Sequence, residues 1–302
     1  LYVYQQKMGD HVQAGLVCLC SVKEYEQDLI KKHEYTRKDK EDDRTRHVTE
    51  QGANAEPVFL TYRAVPYIDH VVDNVRKGAP DIDIVTPDGI GHTVWTIRDE
   101  VIIGELVAFF NGVPALYIAD GHHRTAAAIR YGQARRAATP DPTGEEPFEY
   151  FMAVVFPHDQ LKIMDYNRVV KDLNGLSPEA FLAKVAERFD IAPAAQAKPE
   201  GPTQFGMYFQ GRWHRLTAKP GTYPAEDPVK SLDVSILQDN LLGPILGIQD
   251  PRTDKRIDFV GGIRGTQALE QRVQEGWAVA FAMYPTSLNQ LMAVSDAGQI
   301  MP

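Results

Sequence analysis

Residues 115–132 constrain the fold more than any other stretch of the chain. Ala115-Leu116-Tyr117-Ile118-Ala119 is an apolar run of strand length. Arg124-Thr125-Ala126-Ala127-Ala128-Ile129-Arg130-Tyr131 is a run of helix formers that Gly132 closes. Only Asp120-Gly121-His122-His123 separates the two. A strand that turns so abruptly into a helix lays that helix across a sheet, which predicts a layered mixture of both elements.

The remaining patterns agree with that architecture. Residues 1–5 and 14–22 read as a hairpin turning at Met8-Gly9-Asp10, and residues 205–208 and 213–217 as another around Gln210-Gly211. A strand pair is expected at residues 81–85 and 92–97, with single strands at 58–62, 149–156 and 277–283. Helices are expected at residues 67–76, 99–110, 177–189, 231–242, 266–275 and 288–297. In residues 99–110 the apolar positions are Val101, Ile102, Leu106 and Phe109, with Asn111-Gly112 as the stop. Residues 137–147 read as a mobile loop, and the Ala- and Pro-rich residues 192–201 as a linker. Two parts follow, residues 1–160 and 161–302, each mixed α/β.

Charge and cysteine usage narrow the function classes. A net charge of −9 argues against nucleic acid or an anionic membrane as the main partner, although a local basic site can still hold phosphate. Cys18 and Cys20 fall on one face of a strand. That spacing suits neither a disulfide nor, without a second pair, a metal site. Sparse cysteine, with no secretory or membrane-spanning segment, places the chain in a reducing cytosol. It starts at Leu1 and stops at Met301-Pro302, so both ends read as cut.

The turn at 120–124 has the chemistry of an anion site. The first N–H groups of a helix lack intrahelical acceptors and carry the positive end of its dipole. Gly121 allows close approach, Arg124 can grip phosphate with two parallel bonds, and His123 can donate to a phosphate oxygen. An aspartate cap with surface histidines would explain Asp120 alone. A second cluster, Lys31-Lys32-His33-Glu34-Tyr35-Thr36, joins an imidazole, a carboxylate and a hydroxyl on one segment. With its continuation through Lys40-Glu41-Asp42-Asp43-Arg44, it reads equally as a solvated charged helix and as the seat of a general base at Glu34. Residues 38–44 lack apolar spacing and suit a lid. Asp250, Asp254 and Asp258 around Arg256 read either as capping acids or as a divalent-cation cluster.

These segments together resemble a widespread bacterial family of uncharacterised proteins. The resemblance is carried by Lys31-Lys32-His33-Glu34-Tyr35-Thr36, Asp43-Arg44 and Ala119-Asp120-Gly121-His122-His123-Arg124. Tyr166-Asn167-Arg168-Val169-Val170 and Arg256-Ile257-Asp258-Phe259-Val260-Gly261-Gly262 extend it over nearly the whole chain. More remotely, Gly121-His122-His123-Arg124 resembles the phosphate-binding turn of the ParB/sulfiredoxin-like fold, which includes SerK-type free-serine kinases. The chain departs from those kinases at His122, where they carry an acid, and from sulfiredoxin, which has its cysteine there.

The resemblance implies a ParB/sulfiredoxin-like nucleotide-binding domain at residues 1–160 and a C-terminal α/β domain at 161–302. It implies phosphotransfer from ATP or ADP, with Mg2+, to a small hydroxyl compound such as a free amino acid. Glu34, His33 and Asp120 are then the catalytic candidates, with Glu34 matching the kinase base. Gly121, His122, His123, Arg124, Thr36 and Arg168 are the candidate cofactor contacts. Two other functions fit the same residues: a nucleotide-binding switch without turnover, and a hydrolase with metal ligands Asp120, His122, His123, His33 and Glu34.

Overall fold

The computed structural model describes residues 1–302. Its first hairpin forms as the alternation predicts: β1 (Tyr2–Met8) pairs antiparallel with β2 (His11–Ser21), with Met8 opposite His11. Around it grows an eight-stranded sheet ordered β3-β7-β4-β8-β2-β1-β6-β5. Its other strands are β3 (Ile30–Lys31), β4 (Val58–Tyr62), β5 (Ile82–Val85), β6 (Gly91–Thr96), β7 (Leu116–Asp120) and β8 (Tyr150–Pro157). Two pairings, β3 with β7 and β4 with β8, are parallel, and the rest are antiparallel. Helices α1 (Val22–Glu26), α2 (Lys38–Gln51), α3 (Pro66–Arg76), α4 (Glu100–Phe110) and α5 (His122–Ala138) accompany this sheet. Leu16, Leu60, Ile118, Phe151 and Val155 from the strands form one core with Ile68, Leu106 and Ile129 from the helices.

These elements make up one compact unit, Leu1–Lys162 with Ser295–Ile300; the other spans Ile163–Val294 with Met301–Pro302. The second unit holds a six-stranded antiparallel sheet ordered β10-β12-β11-β14-β9-β13. Its strands are β9 (Tyr166–Val170), β10 (Phe189–Pro193), β11 (Gln204–Phe209), β12 (Arg212–Ala218), β13 (Ile257–Gly261) and β14 (Val279–Met283). The helices are α6 (Pro178–Arg188), α7 (Asp233–Leu237), which continues as a π-turn through Leu242, α8 (Gln267–Gln274) and α9 (Leu288–Asp296). Phe181, Val185, Phe205, Met207 and Phe281 are buried together here. The chain is therefore mixed α/β throughout, and no helix is long and apolar enough to cross a membrane.

Three local expectations need correction, and one of two alternatives is met. Residues 189–193, partly read as linker, form β10 because they find an antiparallel partner in β12. Val101 is 70% exposed, leaving Leu106 as the buried residue of α4. Residues 38–44 are helical, as the charged-helix reading of this run has it, and form the first turns of a 14-residue helix. That helix is tied to α5 by Arg130, whose Nη1 donates to Glu41 at 2.9 Å and to Asp42 at 2.7 Å. Finally, Gly132 does not end α5 but lies buried inside it.

The place of Gly132 follows from close approach. A Cβ there would stand 2.6 Å from the Phe148 carbonyl oxygen and 3.1 Å from Val22 Cγ2. Alanine would gain up to about 1 kcal/mol of helix propensity. Forcing the backbones apart costs about 1–3 kcal/mol, so the clash wins. Gly132→Ala is expected to lower the urea midpoint. An unchanged or raised midpoint would mean that α5 shifts freely.

Candidate functional site

Gly121 makes the turn from β7 into α5 at φ +96° and ψ 30°, a left-handed conformation that only glycine adopts without strain. Arg124 folds back over it, so that a Cβ on residue 121 would meet Nε at 2.8 Å and Nη2 at 2.9 Å. The first helical bond runs from the Thr125 N–H to the Gly121 carbonyl, at 2.8 Å. The N–H groups of His122, His123 and Arg124 precede it, and no side chain caps them. Asp120, the natural cap by sequence, instead accepts from Arg124 Nη2 at 2.6 Å. The 17-residue helix therefore presents its positive end without an internal counter-ion on its N–H groups.

Arg124 has a second partner that the sequence did not suggest. Its Nη1 donates to Glu56 at 2.7 Å, from the loop that leads into β4. The Glu56 and Asp120 side chains are 66% and 77% exposed, whereas that of Arg124 is 26% exposed. The guanidinium is thus held in place by two carboxylates that water reaches easily. Glu56 carries no motif; only the fold brings it to Arg124.

The two histidines of the turn face the other cluster. The His33 N–H donates to His122 Nε2 at 3.4 Å, and the Arg37 N–H donates to His123 Nε2 at 3.0 Å. Because Nε2 of His122 accepts, its proton lies on Nδ1, which stands 3.4 Å from the Glu34 carboxylate. Burial, then the neighbouring His33, His123 and Lys32 charges, push the His122 imidazole down to about 3. The pair with Glu34 is therefore a neutral imidazole beside a carboxylate at neutral pH, not a salt bridge. His33 packs edge-on against His122 with ring centres 4.5 Å apart. Burial lowers it to about 4, and its Nδ1 has no partner.

Glu34 itself is exposed, so the fold brings together a solvent-facing carboxylate, two neutral buried imidazoles and an uncapped helix start. Thr36 does not reach toward this centre, because its hydroxyl donates to Glu41 of α2 at 2.8 Å. Arg168 lies on β9 of the second unit, over the rings of Tyr166 and Phe259, and donates to the Tyr166 carbonyl. Asp250, Asp254 and Asp258 each pair with an arginine, respectively Arg252, Arg256 and Arg272. No group of three or more His, Cys, Asp or Glu side chains is placed to hold a metal ion.

A family profile described as a protein of unknown function, DUF1015, matches residues 1–235. No curated protein matches the chain. Among solved structures, a free serine kinase in complex with AMP is similar at 12% identity and a TM-score of 0.44, over 94% of this chain and 83% of that one. A conserved hypothetical protein from Pyrococcus furiosus gives 11% and 0.41, over 94% and 87%. SbnI with a C-terminal truncation, from Staphylococcus aureus, gives 10% and 0.44, over 95% and 79%.

Proposed function

The chain belongs to the DUF1015 family, and from that premise we propose that it is a nucleotide-dependent phosphotransferase acting on a small hydroxyl compound. The observation that carries this reading is the uncapped start of α5, with Arg124 folded over Gly121 on one side and Glu34 3.4 Å from His122 on the other. On this reading the first unit is the nucleotide-binding domain, ParB/sulfiredoxin-like in kind. The free N–H groups and Arg124 hold the phosphates, and Arg124 exchanges its contact with Glu56 for one with a phosphate oxygen.

Glu34 takes the proton from the acceptor hydroxyl as its oxygen attacks the terminal phosphorus. The bond from that phosphorus to the bridging oxygen breaks, and the nucleotide leaves one phosphate shorter. His122 is a positioning residue in this scheme, since its neutral Nδ1–H can steady the Glu34 carboxylate without neutralising it. Mg2+ fits as a cation that arrives on the phosphates, which Asp120 would help to hold, and it would offset their charge. Positioning and charge stabilisation supply most of the catalysis. The free-serine kinases that the loop resembles make serine the first acceptor to try.

Arg124→Ala is expected to weaken nucleotide binding by roughly 1.5–3 kcal/mol, the worth of the charge-assisted bonds it removes. Calorimetric titration with ATP and ADP reads the effect. Equal affinity in the variant would remove the phosphate-binding assignment of the loop.

A further inference from the structure

We propose that the cavity between α2 and α5 is the nucleoside subsite of this loop, an inference that rests on the nucleotide binding proposed above. The cavity encloses about 200 Å3 and shares two of its walls, Arg124 and Glu56, with the phosphate loop. Anything bound in it therefore meets the same guanidinium that would grip a phosphate.

Its lining has the chemistry of a base pocket. Val48 from α2 and Ala127 and Ala128 from α5 provide apolar surface, while His47, Gln51 and Asn54 supply polar atoms. Flat heteroaromatic rings with polar edges match such a lining, because pockets of this kind combine an apolar body with a few orienting groups. Arg44 lines it too, and a guanidinium stacks well on an aromatic face. In a chain of net charge −9, Arg44, His47 and Arg124 gather cationic or hydrogen-bonding groups where a nucleotide would need them. The volume suits a base rather than a whole drug-sized ligand, so the ribose and phosphates would extend past Arg124.

Helix geometry gives the direction. Successive residues turn by about 100° around an α-helix, so Arg124 lies about 200° from His122. The cavity and Glu34 therefore flank the start of α5 from nearly opposite sides. A nucleotide with its base in the cavity lays its phosphates across the free N–H groups, and its terminal phosphate points toward Glu34. That is the order that transfer to an acceptor beside Glu34 requires. Glu56 occupies the place of a phosphate oxygen on Arg124, and its 66% exposed side chain has room to leave.

The test compares the four common ribonucleoside diphosphates with pyrophosphate by calorimetry, using the full chain. Ala53 lies on the exposed loop that lines the cavity, so Ala53→Trp fills the space from outside the core. Ala53→Trp is expected to weaken at least one diphosphate by about tenfold or more and to leave pyrophosphate within about twofold, whereas Arg124→Ala weakens both. His47→Ala, which removes a polar group without adding bulk, is expected to weaken the same diphosphate; matching melting points establish that the variants fold.

Diphosphate affinity unchanged in both cavity variants overturns the inference and leaves the loop reading intact, provided that pyrophosphate still depends on Arg124. Wild-type affinity no better for any nucleoside diphosphate than for pyrophosphate overturns it equally. Failure of pyrophosphate itself to bind overturns the loop reading, and the subsite with it.

Discussion

The Glu34→Gln variant is expected to bind nucleotide as the unaltered chain does and to transfer phosphate roughly 10²–10⁴-fold more slowly. The amide keeps the size of the carboxylate and can present its carbonyl oxygen to His122 Nδ1, which stands 3.4 Å from the carboxylate, so the side chain stays where it is. What it loses is the ability to take a proton. Stability should hardly change, because the Glu34 side chain is 57% exposed and pairs with a neutral ring. The measurement is the initial rate of phosphorylated product, read by mass spectrometry, from a pool of hydroxyl metabolites with ATP or ADP and Mg2+. A variant as fast as the parent would rule out Glu34 as the base. Demonstrable binding with no product from the parent, whichever nucleotide is supplied, would make the protein a nucleotide-binding switch instead.

Acidification should destabilise the fold steeply. Burial holds His33 at about 4 and His122 at about 3 in the folded chain, against 6.5 for either when exposed. Below pH 6.5 the unfolded chain therefore takes up two protons that the folded chain refuses. Their stabilising effect is fully present above that pH and is lost as pH falls toward 4. Each histidine contributes a slope of about 1.4 kcal/mol per pH unit, so a drop from 6.5 to 4.5 removes on the order of 5 kcal/mol. That is comparable with the whole stability of many domains. Urea unfolding across this range measures it, and His33→Phe isolates one of the two groups. Phenylalanine keeps the ring against His122 and removes the unpartnered Nδ1, so the variant should lose about half of the slope. Profiles that run parallel for parent and variant would mean that His33 is not held neutral by the fold.

Much of the architecture is local and was therefore legible. The hairpins at β1–β2, β5–β6 and β11–β12 announce themselves by apolar alternation around Gly9, Gly89 and Gly211, each at positive φ. The Asp120–Arg124 turn is equally local, because strand, glycine and helix follow one another in sequence. Misread features depend on partners far along the chain. Gly132 looks like a stop until Phe148 is seen to press on it. Helix α2, which lacks an apolar period, was legible only as one reading of a charged run, since it is fastened by Arg130, 88 and 89 residues away from Asp42 and Glu41. The same holds at the candidate site. Glu56 reaches Arg124 across 68 residues, and Arg44 and His47 meet it only around a cavity that two separate helices enclose. Thr36, a cofactor contact by resemblance, is committed to Glu41.

The paired imidazoles also act as a staple. His122 and His123 each spend a ring nitrogen on a main-chain amide of the segment that carries Glu34, one before it at His33 and one after it at Arg37. The acidic side chain thus sits on a short bridge whose two piers rest on the first turn of α5, and movement of that turn moves the bridge. Substitution of either histidine would loosen the span as well as alter the surroundings of a bound phosphate. A lost activity in such a variant therefore reports a displaced Glu34 as readily as a missing phosphate contact. Glutamine, whose carbonyl can still accept from the amide, is the exchange that separates the two.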